Sequence, residues 1–148
     1  MRTVVSNSEA AHFWANQTQE HANRGRTGGN LSFHGRVVYS YATVMGVILD
    51  AKDGSKVYLL NRARYSNSTS KHQRYIWRAC PSYRQKFSFY ITPDTDIQRN
   101  FARIRELLVS QLESIPGLNK DGKSGVRREK KLAEFVSSVN YANEFAVA

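Results

Sequence analysis

The sequence predicts an α+β fold in a single domain: an antiparallel β-meander of about four to five strands packed against helices, with a helical C-terminal third. Three observations lead there. Short β-type segments separated by Gly and Asp-Gly turns run from Leu31 to Leu60. Apolar residues recur at helical spacing from Ile97 to Ile115. A length of 148 residues with 41% hydrophobic and 11% aromatic content suits one compact domain with a real core.

Taken in order, Ser6 followed by Glu9 forms a capping box, and the stretch to about Asn23 predicts a first helix with Ala11, Trp14, Ala15 and Thr18 inward. Arg24-Gly25-Arg26-Thr27-Gly28-Gly29-Asn30 breaks that helix and reads as a loop. Leu31 to His34 and Arg36 to Tyr41 flank Gly35, which predicts a hairpin. Val44 to Leu49 and Lys56 to Leu60 flank Asp53-Gly54, a clearer hairpin signal. A serine-rich run from Ser66 to Ser70 offers N-caps for a helix over roughly Ser70 to Cys80, which Pro81 ends. Lys86 to Ile91 alternates Phe87, Phe89 and Ile91 against Ser88 and Tyr90, a period-two strand. Ile97, Phe101, Ile104, Leu108, Leu112 and Ile115 then make one apolar stripe, stopped by Pro116-Gly117. That stripe suits the meander's apolar face or a second subunit. Lys120 to Gly125 reads as a polar linker, and a last helix carries Leu132, Phe135, Val136 and Val139 on one face. The single domain thus has a basic, aromatic-rich α/β part, 1–93, and two C-terminal helices within 94–148.

The net charge of +10 is unevenly distributed. Within residues 31–93, ten cations stand against only Asp50 and Asp53, leaving +8, while 1–30 and 94–148 contribute +1 each. Between Gly54 and Pro93 there is no acidic residue, yet there are Lys56, Arg62, Arg64, Lys71, Arg74, Arg78, Arg84 and Lys86. Tyr58, Tyr65, Tyr75, Trp77, Tyr83, Phe87, Phe89 and Tyr90 interleave with them. Cations without counter-ions among aromatic rings suit a partner with phosphates for the charge and bases for the rings. At 100° per residue, Lys71, Arg74, Tyr75 and Arg78 share one face of the predicted helix, with His72, Ile76, Ala79 and Cys80 on another. A merely solvated charged face has the same pattern; the acid-free length of the window favours anion binding. The candidate nucleic-acid-binding residues are therefore Arg62, Arg64, Tyr65, Lys71, Arg74, Tyr75, Trp77, Arg78, Arg84 and Lys86. Arg127-Arg128-Glu129-Lys130-Lys131 is a second basic run, but interspersed acids suit a solvated helix face better.

Other chemistries have thinner support. Cys80 stands alone, so neither a disulfide framework nor a cysteine zinc site follows. His12, His21, His34 and His72 match no compact ligand motif, and His12 and His21 fall on opposite faces of the first predicted helix. His34 beside Tyr39 or His72 beside Ser70 could build a metal-free nuclease site; a core or surface role is the simpler reading of each. No catalytic residue, cofactor or metal is assigned. The glycine- and aromatic-rich strand motifs of RNA-recognition domains are missing. Met1 to Val5 followed by Ser6-Asn7-Ser8-Glu9 does not resemble a signal peptide, and no apolar run approaches the roughly 20 residues a membrane span needs. A cytoplasmic location without a membrane partner is expected, in which case Asn16, Asn30 and Asn67 carry no meaning as glycan acceptors.

His12-Phe13-Trp14-Ala15-Asn16-Gln17, Val38-Tyr39-Ser40-Tyr41 and the run from Tyr65 to Gln73 resemble a family of uncharacterised small proteins encoded by bacteriophages and plasmids. The resemblance covers roughly the first eighty residues and carries no catalytic signature. It implies a mobile-element protein acting inside a bacterial cell. With the basic window, the expected function is a non-enzymatic nucleic-acid-binding accessory protein contacting mainly phosphates of DNA or RNA. The alternatives are an inhibitor of a host protein, in an anti-defence or host-takeover role, and a small metal-free nuclease.

Overall fold

The computed structural model describes residues 2–23, 29–115 and 122–148, with side chains of the last stretch from 129 onward. It is α+β, a six-stranded, mostly antiparallel sheet with four helices. Two compact units are present, Met1–Asn100 and Phe101–Ala148. The loop expected at residues 24–28 lies outside the described residues, as do residues 120 and 121 of the expected linker.

In the first unit, α1 (Asn7–Asn16) begins with the capping box that Ser6 and Glu9 predict. It ends earlier than its pattern suggests. Gln17 turns left-handed (φ 51°), its backbone N–H capping the carbonyls of Phe13 and Trp14, and no apolar face continues through Gln17 to Glu20. His21 therefore leaves the helix and forms, with Ala22, the short strand β1 (His21–Ala22), which pairs with β2. Two residues are too few to show a period, which is why this strand was not legible.

The remaining strands are β2 (Leu31–His34), β3 (Val37–Ser40), β4 (Thr43–Asp50), β5 (Lys56–Asn61) and β6 (Lys86–Phe89), lying side by side in chain order. The pairings through β5 are antiparallel, as hairpins at Gly35 (φ 57°) and Gly54 (φ 85°) require. β6 departs from the meander by pairing parallel to β5. Helix α2 (Asn67–Ala79) lies between them in the chain, and a crossover helix is what a parallel pair needs. Along β3 and β4, Val38 opposes Gly46 but Tyr39 opposes Val44, so Met45 is an extra, bulged residue.

α1 and α2 pack on each other and cover one face of the sheet, joining Leu31, Phe33, Val38, Ile48, Tyr58 and Leu60 in one buried cluster with Trp14 and Ile76. Trp14 is central to it. Its indole N–H donates to the Arg36 carbonyl at 3.0 Å and its ring meets Tyr58 edge-on at 5.6 Å. Gly46 makes room, since a Cβ there would lie 2.9 Å from Leu60 and 3.1 Å from Trp14. β4 and β5 are buried on both sides. Val47, Leu49, Val57 and Leu59 alternate with the cluster residues along the register, yet are as buried as they are. Burial of each large apolar side chain stabilises by about 1.5–3 kcal/mol.

The chain then enters α3 (Ile97–Glu113) through a clamp in which Asn100, fully buried, accepts from the Asp94 N–H (2.8 Å) and donates to the Asp94 carbonyl (2.7 Å). In the second unit α3 pairs antiparallel with α4 (Gly122–Val147): Phe101 meets the Phe145 ring at 5.8 Å, and Lys131 donates to the Ser114 carbonyl at the other end. The stripe meets α4, with Ile104 buried and Phe101 and Leu108 only half-buried. Leu112 and Val109 are exposed beside a pocket of about 270 Å³ between the two helices. The polar stretch read as a linker is helical from Gly122 onward.

Candidate nucleic-acid interface

α2 starts earlier than the serine run suggested, at Asn67, because Ser66 is the residue whose hydroxyl caps it by accepting from the Thr69 N–H. Its two faces separate as the wheel predicts. Thr69, His72, Ile76 and Cys80 are buried, while Lys71, Arg74, Tyr75 and Arg78 are exposed. Two anchors hold the helix. Gln73 donates to the carbonyls of Asn61 (3.0 Å) and Ala63 (2.9 Å), tying the helix to the segment that leaves β5. His72 lies between Asn7 and Ser40.

The tautomer of His72 follows from its partners. The Asn7 carbonyl oxygen accepts from the Leu31 N–H (3.1 Å), so its amide NH₂ is what faces His72 Nε2 (3.3 Å). Nε2 must then accept, and Nδ1–H donates to the Ser40 hydroxyl at 2.6 Å. Ser40 in turn is 3.2 Å from the Thr69 hydroxyl. Burial holds the imidazole below its ordinary pKa and therefore neutral. With Nδ1 donating, His72 is no base toward Ser40, and all three side chains are closed off from solvent. Nor does His72 adjoin Ser70, which is exposed on α2. His34, exposed at the end of β2, opposes Val37, whereas Tyr39 opposes Ser32. Sequence reasoning missed Ser40 and Asn7 as partners because each is far from His72 in the chain.

The ten candidate residues divide into two groups. Arg62, Arg64, Tyr65, Lys71, Arg74, Tyr75, Trp77 and Arg78 are exposed, on α2 or on the segment leading into it. Arg84 and Lys86 are half-buried and turned to internal partners. Arg84 donates to the Tyr58 hydroxyl at 3.1 Å, and Lys86 lies 4.1 Å from the Trp77 ring centre and donates to the Trp77 carbonyl. Among the described residues, none of these seven cations forms an ion pair with a carboxylate. Lys56 differs: it pairs with Asp50, which also binds Arg36 at 2.9 Å and is held down to a pKa of about 2 by the two cations. The acid-free window thus overstates the cationic set by one residue, since β4 brings Asp50 opposite Lys56.

Arg62 caps the Tyr90 ring at 4.9 Å and lines a crevice with Gln73 and Trp77 on the flank of α2. At the other end of α2, a groove of about 590 Å³ runs between α1 and the turn that follows the helix, bordered by His12, Asn16, Trp77, Arg78, Tyr83 and Lys86. Cys80 forms part of its floor; its thiol is pushed up to about 12 by burial and donates to the Ile76 carbonyl. On the second basic run, Lys130 is exposed beside Glu129, and the side chains of Arg127 and Arg128 lie outside the described residues. Among the described residues no group of three or more His, Cys, Asp or Glu could hold a metal ion, and no helix is long and apolar enough to cross a membrane. No protein family, curated protein or solved structure matches the chain.

Proposed function

We propose that this protein binds nucleic acid without acting on it chemically, through α2 and the segment before it. The observation that carries this reading is the set Arg62, Arg64, Lys71, Arg74 and Arg78: exposed, without carboxylate partners among the described residues, and interleaved with the exposed rings of Tyr65, Tyr75 and Trp77. A solvated helix face alone does not need rings on its outer surface, whereas phosphate contact beside stacking uses both. Contacts dominated by phosphates give low sequence specificity. An accessory role in a phage or plasmid inside the bacterial cytoplasm is the setting that the resemblance implies. Fluorescence-anisotropy titrations of labelled single strands and duplexes of unrelated sequence, at about 50 mM salt, test the reading. Comparable affinities across sequences support it, and absence of binding to every oligonucleotide rejects it.

One observation favours a second reading, that of an inhibitor docking on a host protein. Val109, Leu112 and Val136 are exposed on the helical hairpin of the second unit, where a soluble chain gains nothing from leaving them wet. The nuclease alternative gains no such support, because the one Ser–His pair among the described residues is buried and wrongly polarised.

A further inference from the structure

We infer that the groove between α1 and the C-terminal end of α2 receives an unpaired base, so that single-stranded nucleic acid is the preferred ligand. The inference rests on the nucleic-acid reading above and narrows it. Three features of the groove point the same way. It is an open groove whose volume of about 590 Å³ is within the range of small-molecule sites, enough for one nucleotide. Its border holds two rings, Trp77 (44% exposed) and Tyr83 (80% exposed), together with Arg78 and Lys86, and no carboxylate. Each ring already carries a cation on one side: Lys86 lies 4.1 Å from the indole centre and Arg84 lies 5.5 Å from the phenol centre. That arrangement makes the rings attractive platforms for a flat, electron-rich base, while the exposed Arg78 on the same border is placed to meet its phosphate.

The α1 wall is ordered for contact with a base edge. Asn16 Nδ2 donates to the His12 carbonyl at 3.0 Å and lies 3.3 Å from its ring nitrogen, which holds the two side chains together at the groove's rim. A duplex keeps its base faces stacked inside and can meet only the cationic face of α2. A single strand can place its phosphates along Lys71, Arg74 and Arg78 and turn a base into the groove where the helix ends.

The chain carries its own probe. Of its two tryptophans, Trp14 is fully buried and Trp77 borders the groove, so ligand-dependent changes in acrylamide quenching report Trp77. The experiment titrates the protein with a thymidine 12-mer and with a matched 12-base-pair duplex, reading quenching and anisotropy, for wild type, Tyr83→Ala and Tyr83→Phe. The single strand should shield Trp77 from acrylamide. Tyr83→Ala should weaken single-strand binding about tenfold, the effect of losing one stacked base, leave duplex binding unchanged, and be rescued by Tyr83→Phe. Tyr83 is exposed enough that its loss does not threaten the fold. Full acrylamide access in the single-strand complex, or equal effects of Tyr83→Ala on both ligands, would overturn the groove while leaving the phosphate-binding reading standing. Failure of both ligands to bind at about 50 mM salt would remove both.

Discussion

His72 shows how far a single residue's role depends on partners distant in sequence. As an isolated letter it was a candidate acid–base group; between Asn7 and Ser40 it is a neutral pin joining α2 to α1 and β3. Its depressed pKa means the folded state binds fewer protons than the unfolded chain. The stability it contributes is therefore complete above the ordinary histidine value of 6.5 and is lost progressively as pH falls below it. Urea midpoints measured from pH 8 to pH 5 should hold down to about pH 6.5 and decline below it, and His72→Gln should flatten the decline. An unchanged slope in the variant would assign the effect elsewhere. Cys80 gives a second check at this scale. Buried, with its thiol pushed up to about 12, it should react with a disulfide reagent at pH 8 only after denaturant is added. That Cys80 lies on the inner face was legible from the helical wheel. The bonding of Asn7, Ser40 and Asn100 was not, because a polar residue's partner is chosen by the tertiary fold and leaves no local pattern.

At the scale of elements, legibility followed the strength of the period. α2 and α3 could be read because charged and apolar residues repeat over several turns. β1 and the bulge at Met45 could not, since each depends on pairing across the sheet rather than on neighbours in the chain; the early end of α1 turns on the single left-handed residue Gln17, whose type does not announce that conformation. The parallel direction of β6 was not read from the sequence, because a strand, helix, strand order permits a parallel pair without requiring one. Two predictions belong here. Changing Lys71, Arg74 and Arg78 together to Ala should leave the thermal melt in place, because they lie opposite Ile76 and Cys80, and should remove most of the affinity for every sequence alike. Changing Arg127, Arg128, Lys130 and Lys131 should weaken binding less; the reverse order would move the interface to α4. In the hairpin of α3 and α4, Ile104→Ala should cost about 2–5 kcal/mol, as a large-to-small change at a buried site. Leu112→Ala, at an exposed position of the same stripe, should stay within about 0.5 kcal/mol.

For the whole molecule, charge placement matters more than its total. Of the chain's +10, +8 lies in residues 31–93, and the fold puts five of those cations on or just before one helix, with Lys86 half-buried at its flank. At the β4–β5 hairpin, Asp50 neutralises part of the remaining charge by binding Arg36 and Lys56. The clustering on α2 was legible as an acid-free window; the pairing at Asp50 was hidden by the hairpin that creates it. The central claim is that this clustered charge binds phosphates, and its most direct test is the dependence of affinity on salt. Each phosphate neutralised contributes about 0.9 to the slope of log affinity against log salt on duplex DNA, so four to six engaged cations give a slope of roughly −4 to −5. Titrations of a labelled duplex from about 50 to 200 mM salt should yield that slope, and the triple change on α2 should reduce it by roughly 3. A slope near zero, or no binding at the lowest salt, would contradict the account and favour the reading that rests on the exposed Val109, Leu112 and Val136 of the helical hairpin.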